Sequence, residues 1–357
     1  MRRTLAALIA MLAVAAAPAG ARITAPAGVK VDTWVRGIPN ASNVDFDSRG
    51  RMWVTSAAYV TEPASGVWMV PRRGAKPRQV VKRLFTALGL RWYRNSLYVS
   101  YLTPYGYSPN AVGRVAAYSG FDGRRFRHRR LVLDKVPVGL HSVDSIVAGP
   151  GGRLYMGIGS KGDDFAGPSR FSGSVTSFKP DGSGMRVEAN GLRNPYGIAF
   201  IPHTNTLVAG DNGRDDLGLN TPPDELNAFD VTGAAPFFGF PRCWGRAGGS
   251  CGGTVAPLVE LAPHAAAGGV AVSPSWGNSG LTAFVGENGS SFKNHTGSDV
   301  VSVSLSGSGK ALRGTAHKFA GGFQVHDPLG TAIGPGGALF VTLHNSGSVV
   351  RFRPPRL

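Results

Sequence analysis

Apolar and polar positions along this chain change over in short runs of four to six residues, not at helical spacing. A β-rich run reaches a Gly, Asn or Asp turn, and a second run of the type Leu-aromatic-Val follows. The unit recurs at residues 44–54, 90–99, 146–156, 198–208, 270–285 and 331–341, the fifth copy being looser. Each copy reads as a β-hairpin. Copies sit roughly 45 to 60 residues apart, with about 75 before the fifth. That period suits the four-stranded blades of a propeller. The pattern predicts an all-β chain, a six-bladed β-propeller with four-stranded antiparallel blades and loop insertions on one face. A β-sandwich is the alternative, but it does not need a recurring strand–turn–strand unit.

Composition agrees. The 51 Gly and 25 Pro among 357 residues oppose a helical fold, and the glycines lack the period of three that collagen needs. Residues 1–21 read as a signal peptide. Arg2 and Arg3 precede an apolar run from Leu5 to Ala17, and Ala19-Gly20-Ala21 supplies the cleavage pattern. The apolar run is shorter than the roughly 20 residues of a spanning helix. Residues 22–357 are then expected to be one propeller domain, secreted to an extracytoplasmic compartment. In that setting the two cysteines, Cys243 and Cys251, predict a small disulfide loop.

Export also changes what the charge means. The formal charge of +17 becomes +15 once Arg2 and Arg3 are gone. An exported protein is not expected to meet nucleic acid, whatever its charge. The run Arg124-Arg125-Phe126-Arg127-His128-Arg129-Arg130 suits an anionic cell-wall polymer, or is the solvated face of a hairpin.

Four segments could carry chemistry: Gly139-Leu140-His141-Ser142-Val143-Asp144; Gly191-Leu192-Arg193-Asn194-Pro195-Tyr196-Gly197; the acidic stretch from Gly210 through Asp216, with Pro222-Pro223-Asp224; and Phe237-Phe238-Gly239-Phe240-Pro241. The first two place a base and a cation–amide pair just before the third and fourth hairpins. The third offers carboxylates and turn carbonyls, which suit a hard cation such as Ca²⁺. A neutral His beside such a site can take a proton from a substrate hydroxyl. Taken singly, each segment also has a structural explanation as a turn or a strand start.

These segments, in this order, resemble the glucose/sorbosone dehydrogenase family of quinoproteins, exported six-bladed propellers that use pyrroloquinoline quinone (PQQ) and Ca²⁺. The resemblance covers about residues 33–354 and is most like the sorbosone branch. It implies His141 as catalytic base, acting with Arg193 on a small-molecule sugar at C1. It implies Arg193 and Asn194 as quinone contacts, and the carbonyls of Gly213 and Arg214, with Asp211 nearby, as the Ca²⁺ site. Several positions depart from the pattern. Ser160 falls where the glucose-oxidising branch has the Asp that orients the His, with Asp163 or Asp164 as substitutes. Asp327 and Leu329 fall where an Arg pair meets the quinone carboxylates. Gly289 takes the place of a Lys, with Lys293 nearby as a cofactor contact. His264 precedes the fifth hairpin and is a candidate channel residue. Two other functions fit the same architecture: a non-catalytic propeller that binds a glycan or cell-wall polymer, and a Ca²⁺-dependent lactonase using Asp211, Asp215 and Asp216.

Overall fold

The computed structural model describes residues 22–58, 65–104, 111–277, 279–290 and 296–355. The expected signal peptide, residues 1–21, lies outside them. All six hairpins of the sequence pattern are present, and each forms the two innermost strands of a four-stranded antiparallel sheet. Blade 1 is Ala41–Phe46, Met52–Ser56, Gly66–Val70 and Arg78–Lys82. Blade 2 is Phe85–Tyr93, Ser96–Thr103, Val112–Phe121 and Phe126–Val136. Blade 3 is Val143–Ala148, Leu154–Ile158, Ser174–Phe178 and Arg186–Asn190. Blade 4 is Pro195–Phe200, Thr206–Asp211, Pro223–Asp230 and Val259–Pro263. Blade 5 is Ala267–Ser273, Thr282–Glu287, Asp299–Ser306 and Arg313–Ala320.

Blade 6 joins the two ends of the chain. Its inner strands Pro328–Ile333, Leu339–Leu343 and Ser348–Arg353 are completed by Lys30–Arg36, which pairs antiparallel from Lys30 opposite Arg353. Among the described residues the helical pieces are three 3₁₀ turns, two of them the Pro-Gly-Gly turns at 150–152 and 335–337. Gly151 and Gly336 take φ of 66° and 71° there, a left-handed geometry that favours glycine.

The second strands read as continuous apolar runs because both of their faces are covered. Met52–Ser56 and Leu154–Ile158 are buried throughout. Packing is divided among the interfaces between successive blades. Trp53 of blade 1, fully buried, meets Trp92 and Phe121 of blade 2 edge-on at 5.0 and 4.9 Å. Phe340 of blade 6 sits 4.7 Å from Phe46 of blade 1. The innermost strands pack almost backbone to backbone. A Cβ on Gly197 would lie 2.1 Å from the Gly268 carbonyl oxygen, so a side chain there would push blades 4 and 5 apart.

The blade order sorts the connections to two ends. Hairpins between strands one and two, and three and four, emerge at one end, here called the turn end. Strand starts and the links between blades emerge at the other, the site end. The long gap before the fifth hairpin is an insertion within blade 4. Residues 231–258 leave the turn end and climb the outside of the blade, with Phe238 N–H bonding Asn190 O at 2.9 Å and Phe240 N–H bonding Gly191 O at 2.8 Å. The segment carries the expected disulfide between Cys243 and Cys251. The insertion thus reaches the site end, as the pattern predicted.

Candidate active site

His141 lies two residues before the inner strand of blade 3, and Arg193-Asn194 immediately precede that of blade 4. Adjacent blades therefore deliver them to one mouth. Ser160 N–H bonds Arg193 O at 2.6 Å, and Leu140 N–H bonds Lys161 O at 2.8 Å, which stitches the two approaches to the loop at 159–173. Gly159 lies beneath both side chains. A Cβ on it would meet His141 Cβ at 2.2 Å and Asn194 Oδ1 at 2.8 Å, so only glycine lets the pair approach.

The imidazole of His141 is fixed through Nδ1, which lies 3.1 Å from both the carbonyl oxygen and the hydroxyl of Ser160. A carbonyl only accepts, so Nδ1 carries the proton and Nε2 keeps its lone pair. The Ser160 hydroxyl donates to Gly162 O at 2.6 Å, which leaves its own lone pairs toward the ring. Burial, then the positive charge of Arg193, pushes the His141 pKa down to about 3; Asp163 works the other way. At neutral pH this is a neutral base with a set tautomer. Ser160 does the orienting itself, so neither Asp163 nor Asp164 is the substitute.

Asp163 serves Arg193 instead. The buried guanidinium donates to Asp163 Oδ1 from Nε at 3.1 Å and Nη2 at 2.6 Å, to Asp215 Oδ2 at 2.8 Å, and to the Asn212 carbonyl at 3.3 Å. Two carboxylates thus flank one cation. Asn194 is different, because its side-chain Oδ1 is buried and finds no partner among the described residues.

Asp211 is buried beneath this pair. Its Oδ2 accepts Arg193 N–H at 3.1 Å and its Oδ1 accepts Asn194 N–H at 2.6 Å. Both oxygens hold backbone in place. Burial, then Glu225, raises its pKa to about 8. Asp224 ties Gly213 N–H to Ala267 N–H at 2.9 Å each, joining the turn after blade 4's second strand to blade 5. The Arg214 side chain forks onto Asp216 at 2.9 and 2.6 Å and donates to Pro241 O at 2.7 Å, bracing the disulfide segment. No hydrogen bond from a described residue reaches the carbonyl oxygens of Gly213 or Arg214.

Several sequence expectations land elsewhere. Asp211, Asp215 and Asp216 do not converge: the first caps backbone, the second pairs with Arg193 and the third with Arg214. Among the described residues no group of three or more His, Cys, Asp or Glu side chains is placed to hold a metal. Asp327 accepts Ser346 N–H at 2.7 Å and the Ser346 hydroxyl, as a turn anchor in blade 6. Leu329 packs with Ala57, Leu88 and Tyr196 in an apolar cluster drawn from blades 1, 2, 4 and 6. His264 lies at the same end, with Nε2 2.7 Å from Gly218 O and Nδ1 3.7 Å from Asp215 Oδ1. Gly289 has φ of 100°, and a Cβ there would strike Ser298 Oγ at 2.1 Å, so the chain has no room for a Lys at that position. Lys293 lies outside the described residues.

What sequence reasoning missed is the pair of partners on Arg193 and the backbone clamp of Asp211. Asp211 and Asp215 belong to the acidic stretch and Asp163 was named only as a substitute for Ser160, and nothing in their spacing told which cation or amide each would meet.

No profile of a known protein family matches the chain. A curated relative, an uncharacterised protein of Borreliella burgdorferi, is 26% identical over 247 residues, 67% of this chain and 62% of that protein. Solved structures match along nearly the whole chain. A carbohydrate-active enzyme of family AA12 from Trichoderma reesei, in a calcium structure, superposes with a TM-score of 0.77 at 16% identity, covering 94% of this chain and 98% of that one. The PQQ domain of pyranose dehydrogenase from Coprinopsis cinerea gives 0.72 at 15%, covering 93% and 97%. The PQQ-bound aldose sugar dehydrogenase of Streptomyces coelicolor gives 0.68 at 17%, covering 92% and 99%. In fold, this chain is similar to the PQQ-dependent sugar dehydrogenases built as six-bladed propellers.

Proposed function

We propose that this chain is an exported sugar oxidoreductase of the quinoprotein kind, acting on an aldose or sugar aldehyde at C1. The observation that carries the reading is the His141 imidazole, neutral, held through Nδ1–H by Ser160, with Arg193 and Asn194 beside it. The disulfide between Cys243 and Cys251 agrees with an oxidising compartment.

The residues fit the redox end of such a cofactor. Asn194 Oδ1 is buried without a partner among the described residues, and the Gly213 and Arg214 carbonyls are oxygen donors of the kind Ca²⁺ takes. Asn194 would contact the quinone, with Arg193 at its edge, and the two carbonyls, with Asp211 behind them, would hold the cation. Lys293 is kept as a further proposed contact. When bound, PQQ with Ca²⁺ supplies the two-electron acceptor for the C1 hydride. His141 Nε2 removes the C1 hydroxyl proton, or that of an aldehyde hydrate. Ser160 holds the imidazole and its tautomer. Phe238-Gly239-Phe240-Pro241, bonded through its amides to Asn190 and Gly191, walls the site on the insertion side and is the basis for proposing a sorbosone-type substrate.

The residues fit the carboxylate end less well. Three carboxylates call for fixed cations. Here Arg193 is already shared by Asp163 and Asp215, and Asp327 and Leu329 stand where the resemblance implies arginines. The expectation is weak cofactor binding. Titration of the purified chain with PQQ and Ca²⁺, with dye reduction measured across aldoses and sorbosone, tests the reading. Sugar-dependent turnover that is lost in His141→Ala supports it. No turnover at millimolar PQQ and Ca²⁺ overturns it. The same crowded cations favour a second reading, a propeller that binds a glycan without redox chemistry. Glycan binding with no PQQ-induced absorbance change would select that one.

A further inference from the structure

The turn end carries a feature that the site does not use. Exposed cations gather on the turns of three successive blades: Arg72 and Lys76 in blade 1, Arg94, Arg124 and Arg125 in blade 2, and Lys179 in blade 3. None of these six forms an ion pair with a described carboxylate. The acids close by are committed to their own turns. Asp122 Oδ1 accepts the Arg124 and Arg125 amides at 2.9 Å each, Asp181 Oδ1 accepts Ser183 N–H at 2.9 Å, and Asp47 holds Arg51 at 2.6 Å.

The three blades present these turns as one rim. The Arg78 guanidinium donates to Gly123 O, joining blade 1 to blade 2. Arg130 donates to Pro180 O at 2.7 Å and Asp181 O at 3.1 Å, joining blade 2 to blade 3. The backbone under the cations is therefore fixed before any partner arrives, which reduces the ordering cost of binding. At the site end, by contrast, Arg193 and Arg214 are already paired, the first with Asp163 and Asp215 and the second with Asp216. An anionic chain therefore meets unpaired cations at the turn end.

We propose that this rim docks an acidic polysaccharide, a linear glycan bearing carboxylates. An arc over three blades matches an extended chain of regularly spaced negative charges, and the arginine forks suit carboxylate oxygens. A membrane surface fits less well, because none of the exposed large apolar side chains lies in these turns to insert among lipids. Nucleic acid fits less well, because the disulfide belongs to an oxidising compartment.

The test measures binding of the full chain to polygalacturonate, neutral dextran, anionic phospholipid vesicles and duplex DNA at about 0.15 M salt, where surface charges are partly screened. The expected result is saturable binding to polygalacturonate that weakens steadily with salt, with none to dextran. The fourfold variant Arg72→Glu, Lys76→Glu, Arg124→Glu, Arg125→Glu should lose at least tenfold in affinity. Lys310→Glu with Arg313→Glu, on blade 5, should leave it unchanged. Should the charge-reversed chain not fold, the same four positions changed to Gln carry the test, with a loss of threefold or more expected. Absence of polygalacturonate binding, equal affinity of the fourfold variant, or tighter binding to vesicles or DNA would each overturn the proposal. The readout needs no cofactor, so it stands or falls apart from the redox reading.

Discussion

The two ends of this propeller use the same residue types to opposite effect. At the turn end, Asp122 and Asp181 sit in solvated turns, and backbone amides hold their carboxyls below the ordinary range. At the site end burial dominates. Asp144 is pushed well above its usual value by burial and by Asp211, and Asp224 and Glu225 are raised to about 6 and about 7, burial first. Short hairpins leave their polar groups in water and need no partner. At the site end the strand carboxylates lie beneath the long connections and meet groups inside the protein: Asp224 accepts the Gly213 and Ala267 amides and Glu225 accepts the Gly245 amide. A site grows at the end where loops are long enough to exclude water.

The sharpest break of that comparison is His141→Ala. Loss of a positioned base should lower PQQ-dependent sugar oxidation by about 10²–10⁴-fold. Thermal stability should barely change, since the ring is half-buried and holds only Ser160. Steady-state dye reduction beside a melting curve separates the two effects. If activity survives, the imidazole is a structural strand-start residue.

Next in size is the double change Asp163→Asn with Asp215→Asn. It releases Arg193 from both carboxylates and should tighten PQQ binding by about tenfold or more, the scale of one charge-assisted hydrogen bond. Fluorescence or absorbance titration reads it directly. Unchanged affinity would mean that Arg193 does not face the cofactor.

Removing the disulfide, by Cys243→Ser with Cys251→Ser, opens the loop closed across the eight-residue separation. The loss should be about 2.5 kcal/mol at most on a chain-entropy estimate. Hydrogen exchange should show it near 241–251 and at Arg214, and leave the turn end untouched.

The smallest effect is on pH. The His141 pKa is lowered to about 3, so the base form is already full at pH 5. The acidic limb of kcat/KM should fall below pH 5, well under the usual value of a free imidazole. Arg193→Gln removes a positive neighbour and uncovers two carboxylates, both of which favour the protonated ring. The limb should then move up toward pH 6.5. A wild-type limb near 6.5 would show that the ring is more hydrated than the geometry indicates.

The six hairpins were legible because burial on both faces writes a distinct apolar run into every second strand, as at Met52–Ser56 and Leu154–Ile158. The insertion in blade 4 was legible as a broken period, and the disulfide as two cysteines in a chain whose first residues read as an export signal. His141 and Arg193 could be placed together because both precede an inner strand. The Asp163–Arg193–Asp215 arrangement could not be read. It depends on how a loop of blade 3 and a loop of blade 4 settle against each other, and neither has a period. Ser160 shows the same limit. Its hydroxyl and carbonyl take the orienting role expected of a carboxylate, and the carbonyl is a group that every residue carries.

The sixth sheet has a further consequence. Asp32 and Arg351, 319 positions apart, meet at 3.1 Å along the strand pair Lys30–Arg36 and Ser348–Arg353. A chain emerging from its N-terminus can stack blades 1 to 5 as they appear, but it must keep Lys30–Arg36 unpaired until the last strand arrives. Zipping this seam is the long-range step that turns an open crescent into a ring, and such contacts are slow to form. Moving the chain ends to an exposed turn such as 122–125 would make the seam a local contact within one continuous stretch of chain and shift the closing step to blade 2, between Val112–Phe121 and Phe126–Val136.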